Sequence, residues 1–143
     1  YELPLYAGAQ LLGAFTASAG VWLLLGNGAR LGATQFRDGG VVVGAIGEFV
    51  FTFLLVLLVL ILVDFGPGLP RWGLTGPGIV VGISTYLIGP WSGSSLNPAR
   101  TLAPAVLSWT FSGLWVYLIV VPLAGLAAVP LADYLRPRVR EPR

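Results

Sequence analysis

Apolar residues in this chain run in long uncharged blocks and not at the spacing of an amphipathic helix or strand. Residues 5–25, 73–90 and 114–132 carry no charge, and 41–63 carry only Glu48. About 20 apolar residues are what a helix needs to cross a hydrocarbon layer roughly 30 Å thick. Lipid offers the backbone no partners, so each block is predicted to satisfy its own N–H and C=O groups as a helix. The polar positions between them predict a glycine-rich loop over 26–40 and a tight turn over 65–72 around Gly66, Pro67 and Gly68. A segment of mixed character, 91–108, separates the last two blocks.

That segment breaks the pattern in a particular way. Asn97 followed by Pro98 is a helix-opening pair, asparagine as N-cap and proline in the first turn. A helix from Asn97 to about Ser108 would be some 16 Å long, about half of the hydrocarbon core. It is predicted to begin near mid-membrane, as the ascending arm of a re-entrant loop. Arg100 lies in it, and an arginine at that depth costs roughly 2.5–3.5 kcal/mol on insertion scales and marks a functional position by default. Irregular backbone at membrane depth is tolerated where it lines a water-filled path.

Composition narrows the classes. The chain is 56% hydrophobic and 10% charged, against about 25% charged residues in soluble domains, so an integral membrane protein of all-α class is expected. Cysteine and histidine are both absent. That removes disulfides, thiolate metal sites and the commonest general base, so no enzyme, metal or cofactor is expected. All eight basic residues are arginine, and they read as topology and not as a nucleic-acid surface. Arg136, Arg138, Arg140 and Arg143 hold the C-terminus in the cytoplasm. Counting back puts Arg71 inside, Arg30 and Arg37 outside, and the N-terminus inside. Methionine is absent, so Tyr1 is not a translation start; a piece of a longer protein is the expectation, since no basic region marks a signal peptide.

Small residues recur four apart: Ala9, Gly13 and Ala17; Gly40 and Gly44; Gly78 and Gly82; Ala124, Ala128 and Ala132. Such ladders let membrane helices approach closely. A faint echo aligns residues 10–14 with 122–126, and repeats of this kind often build membrane pathways. Trp72, Trp91, Trp109 and Trp115 sit near span edges as interfacial anchors, and Asp64 and Asp133 are expected to be solvated at span ends.

The residues resemble the aquaporin, or major intrinsic protein, family along nearly the whole chain. Residues 3–14 look like its third membrane helix, 48–56 with Glu48 and Thr52 like its fourth, and 82–89 like its fifth. Residues 92–100, Ser-Gly-Ser-Ser-Leu-Asn-Pro-Ala-Arg, look like its second re-entrant loop, and 115–133 like its sixth helix. The resemblance implies a partial aquaporin-like bundle of four transmembrane helices and one re-entrant half-helix, a single partial domain over 1–143. The family has six spans and two half-helices. The first two spans and the first Asn-Pro-Ala loop are missing here, and because the family's repeats are inverted a second copy would not replace them.

By that resemblance the chain is expected to be half of a passive pore for water and small neutral solutes, in the lipid bilayer of a plasma or bacterial inner membrane, tetrameric as a full-length protein. Asn97, Pro98, Ala99 and Arg100 would line the pore, with Thr85 as a wall position and the carbonyls of Ser92, Gly93 and Ser94, in extended form, as a ladder of acceptors. Asn97 would bind water through its amide NH₂, with the half-helix N-terminus repelling protons and cations. Arg100, one turn on, would form the constriction. Glu48 has two readings: a proton-coupling carboxylate, which would make a secondary transporter, or an acceptor for loop N–H groups, which the resemblance supports, with Thr52 beside it. Thr85 replaces the histidine of strict water channels and implies a wider constriction. Thr101 and Ala105 look like the water-channel pattern, because glycerol facilitators place an aspartate and a basic residue there. The run 89–93 resembles the plant nodulin-like branch, whose members pass larger uncharged solutes. Alternatives are a glycerol or uncharged-metalloid facilitator and a non-conducting fragment.

Overall fold

The computed structural model describes residues 2–28, 30–65 and 75–135. Among the described residues six α-helices follow in order, with a short 3₁₀ turn (Arg30–Gly32) between the first two: α1 (Glu2–Leu25), α2 (Val41–Phe65), α3 (Gly76–Leu87), α4 (Gly89–Ser92), α5 (Pro98–Ser108) and α6 (Leu114–Leu135). Among the described residues α1, α2 and α6 are long and apolar enough to span a bilayer, and the all-helical fold class is as expected. The turn around 66–68, the side chain of Asp64, Trp72, Arg71 and the C-terminal arginines lie outside the described residues.

The most extensive contact between helices is that of α2 with α6. The alanine ladder explains their contact: Ala124, Ala128 and Ala132 are fully buried on one stripe of α6, with Val121 and Tyr117 continuing it. Residues four apart share a helix face, so the methyl groups make a flat strip against α2. Pro122 and Pro130 lie inside α6 but on its exposed side. The glycines of α2 make room for the α1–α2 connection and for the end of α3. A Cβ on Gly44 would stand 2.6 Å from Phe36 Cδ1, and one on Gly47 would stand 2.6 Å from Ile88 Cγ2. Gly13, Gly78 and Gly82 have nothing within 4 Å of where a Cβ would be, so those glycines serve no close approach among the described residues.

The third apolar block, expected as one helix over 73–90, is described from Thr75 onward and is interrupted. α3 ends at Leu87, Ile88 turns, and α4 makes a single further turn. Pro90 is the cause: it has no N–H to donate, and its ring collides with the carbonyl four residues back in a continuous helix. The chain then drops through residues 93–97 and returns as α5. That half-helix has 11 residues, about 16 Å of rise, as the sequence predicts. α1 lies along α5 and is otherwise little buried, Ser18 being its one buried residue.

Candidate functional site

The re-entrant segment is organised by one carboxylate. Glu48 is fully buried on α2. Its Oε1 accepts from Ser92 Oγ at 2.7 Å and from the Ser95 N–H at 2.7 Å, and its Oε2 accepts from the Leu96 N–H at 2.9 Å. Buried N–H groups outside a helix need such acceptors. To aim them inward the backbone takes left-handed values at Gly93 (φ +76°), Ser94 (+49°) and Leu96 (+53°). The expectation of an extended run is therefore corrected, and with it the place of the Ser92 carbonyl in a ladder of acceptors. Ser92 lies in the α4 turn, its hydroxyl faces Glu48, and its carbonyl accepts from the Tyr117 hydroxyl. The Ser94 N–H donates to Ser92 Oγ at 3.2 Å, and Ser94 and Ser84 hydroxyls pair at 2.8 Å. Gly93 cannot be larger: a Cβ there would stand 3.0 Å from Thr34 Cα. Thr52, grouped with Glu48 from sequence, is buried, but its Oγ1 has no hydrogen-bond partner among the described residues.

The half-helix opens as its first residues dictate. Asn97 is the N-cap in extended conformation (φ −152°, ψ 121°), and its Oδ1 accepts the Ala99 N–H at 2.9 Å. That fixes the other end of the amide as NH₂, which donates to Gln10 Oε1 of α1 at 3.2 Å. Pro98 occupies the first turn, where a missing N–H costs nothing. Beside this cap lies a cavity of about 270 Å³ walled by Ala7, Gln10 and Leu11 of α1 and by Asn97, Pro98 and Ala99.

Arg100 faces the next cavity along the same groove, about 390 Å³, whose α1 wall is Ala14, Ala17, Ser18 and Val21. Its Nη1 donates to the Gly32 carbonyl at 2.8 Å. Arg30, Leu31 and Gly32 are left-handed in succession (φ +49°, +55° and +71°), which curls the loop. Asn97 and Arg100 therefore open into two cavities stacked along one α1–α5 groove, a guanidinium above an amide on walls that are mostly apolar apart from Gln10 and Ser18. Thr85 stands apart: it is exposed on α3, its hydroxyl donates to the Val81 carbonyl at 2.9 Å, and it lines neither cavity.

Sequence reasoning passed over Gln10, Ser84, Thr34 and Tyr117 as site residues. Gln10 carried a signal, as the one amide in an uncharged block. Thr34 and Tyr117 carried none, because their partners lie 67 and 25 residues away.

A model of the family described as "Major intrinsic protein" matches residues 2–132. Among curated proteins, the "Probable aquaporin NIP4-2" of Arabidopsis thaliana is 32% identical over 130 residues, covering 90% of this chain and 45% of that protein. "Probable aquaporin NIP7-1" of the same plant is 36% identical over 126 residues, 87% of this chain and 45% of that one. "Nodulin-26" of Glycine max is 30% identical over 128 residues, 89% and 46%. The chain thus spans a little under half the length of the relatives it matches.

Proposed function

Because the chain belongs to the major intrinsic protein family, we propose that it forms the second half of a passive transmembrane pore for water and small neutral solutes. The observation that carries this reading is the groove in which Asn97 and Arg100 stand one above the other. A half-helix N-terminus carries about half a positive charge, and Arg100 adds a whole one. Together they oppose cations while leaving donors for a neutral oxygen-bearing solute. Glu48 is fully buried and held by three donors of the re-entrant segment, which argues against a proton-coupling role. A first half with its own Asn-Pro-Ala loop completes the pore in the longer polypeptide, which is tetrameric in a plasma membrane with both termini cytoplasmic.

Water is the first solute, with some small neutral ones admitted. Thr101 and Ala105 match the water-channel pattern and favour water, whereas Thr85, read from the sequence as a wall position, lines neither cavity and adds nothing to the choice. Stopped-flow swelling of proteoliposomes containing the full-length protein, comparing water and glycerol, is the test. Ready glycerol flux with poor water flux would replace this assignment with a glycerol facilitator, and no flux of either above bare lipid would refute the channel.

A further inference from the structure

The loop that holds Arg100 is itself held, and by one side chain more than by others. Thr34 is buried in the α1–α2 connection, 3% exposed. Its hydroxyl lies 2.8 Å from that of Thr101, the residue next to Arg100. Thr101 in turn meets the Ser95 hydroxyl, which donates to the Asn97 carbonyl at 2.8 Å. Each hydroxyl has one proton, and a carbonyl can only accept. The direction of the whole chain is therefore fixed: Thr34 donates to Thr101, Thr101 to Ser95, and Ser95 to the cap residue of α5.

Thr34 also lies against the descending arm, since its Cα, Cβ and Cγ2 stand 3.0–3.1 Å from where a Cβ on Gly93 would be. It is thus wedged between both arms of the re-entrant loop, two residues after the carbonyl that grips Arg100. The rest of the connection is anchored farther away. Phe36 stacks on Tyr117 at 4.5 Å, between Gly44 and Gly113, where any Cβ would stand 2.6 Å from its ring. The Arg37 N–H donates to the Trp91 carbonyl at 2.9 Å, and its guanidinium lies over the Trp91 ring at 5.4 Å. Between these anchors and Gly32, Thr34 is, among the described residues, the side chain that hydrogen-bonds to α5.

We infer that Thr34 is a positioning residue for the constriction. Through its hydroxyl chain it sets where the Gly32 carbonyl stands, hence how far Arg100 reaches across the pore and which solutes pass. A loop remote in sequence from the Asn-Pro-Ala-Arg run thereby becomes part of the specificity apparatus. The inference rests on the pore reading above.

The experiment uses proteoliposomes of the full-length protein, with water and glycerol permeability and cation leak normalised to incorporated protein. Thr34→Val keeps the shape and removes the donor. It should raise the glycerol-to-water ratio by about threefold or more, within what loss of a single buried hydrogen bond can supply. Thr34→Ser keeps the donor and should restore the ratio. Thr101→Val cuts the same chain from the other side, so it should reproduce the shift, and the double valine variant should add little, as for residues in one network. An unmoved ratio in conducting vesicles would overturn the inference alone, as would a serine variant that behaves like valine or a fully additive double variant. Valine variants that never reach the membrane would mean that the chain holds the fold and not the arginine, and would overturn it too. Wild-type vesicles that conduct nothing would overturn the channel reading and this inference together.

Discussion

Glu48→Gln probes the re-entrant loop at its centre. The carboxylate serves two donors on Oε1 and one on Oε2, and an amide has only one acceptor oxygen. In the better orientation that oxygen stays with Ser92 and Ser95, and the new NH₂ faces the Leu96 N–H, donor against donor. An orphaned buried N–H costs about 1–3 kcal/mol, and removing the charge weakens each of the two surviving bonds by on the order of 1 kcal/mol. Glutamine also avoids burying a charge, but that relief applies equally before the loop closes, since the residue is already within the span. Loop closure should therefore weaken by about 3–5 kcal/mol, a factor of at least roughly a hundred. The assay is heat challenge of the tagged full-length protein in detergent, read as the fraction remaining monodisperse, alongside proton flux in vesicles. The variant should be scarce and heat-labile with its solute ranking unchanged. A variant as abundant and heat-resistant as wild type would refute the loop-holding argument, and one that folds well but alters proton flux would revive the transporter.

Arg100→Val removes the intramembrane cation and empties its cavity; cation leak should rise by about tenfold or more, the factor for each 1.4 kcal/mol taken off a barrier, and unchanged leak and glycerol flux would count against a constriction there. Gly44→Ala drives a methyl into Phe36 and should cost about 1–3 kcal/mol by overpacking, seen as a lower melting temperature, whereas the same change at Gly82 meets nothing within this chain. By the family resemblance, Ser94 falls where many water channels carry a mercury-reactive cysteine. Mercurials should therefore not block through that site, and Ser94→Cys should introduce block that a thiol reductant reverses.

What the sequence made legible follows the range of the forces involved. Three long apolar helices and the short helix after Asn97 were legible because hydrocarbon thickness, N-capping and proline act locally. Glu48 and Arg100 stood out because a charge among apolar residues announces itself. The handling of Ser92 failed for a long-range reason. Nothing near residue 92 says that its hydroxyl must turn toward a carboxylate 44 positions earlier, nor that its carbonyl is claimed by Tyr117. The interruption of the third block was legible in principle, since Pro90 sits where a continuous helix would need a donor. Thr34 was not, because a threonine in a glycine-rich loop looks like any other until the loop is folded against α5.

The buried carboxylate also bears on how such a span reaches its place. Glu48 is synthesised 44 to 48 residues before the groups that satisfy it, which at about 5–20 residues per second is a delay of roughly 2–10 s. During that interval α2 must partition into the bilayer with its carboxylate unmatched, at a cost of roughly 2.5–3.5 kcal/mol if it behaves as an aspartate does at a span centre. Residues 54–62 of the same helix are nothing but leucine, valine and isoleucine, and at about −0.3 to −0.6 kcal/mol each they supply roughly 3–5 kcal/mol in favour of insertion. The greasy second half of α2, the most apolar of the three long helices, thus carries its acidic first half into the membrane before the loop exists to receive it.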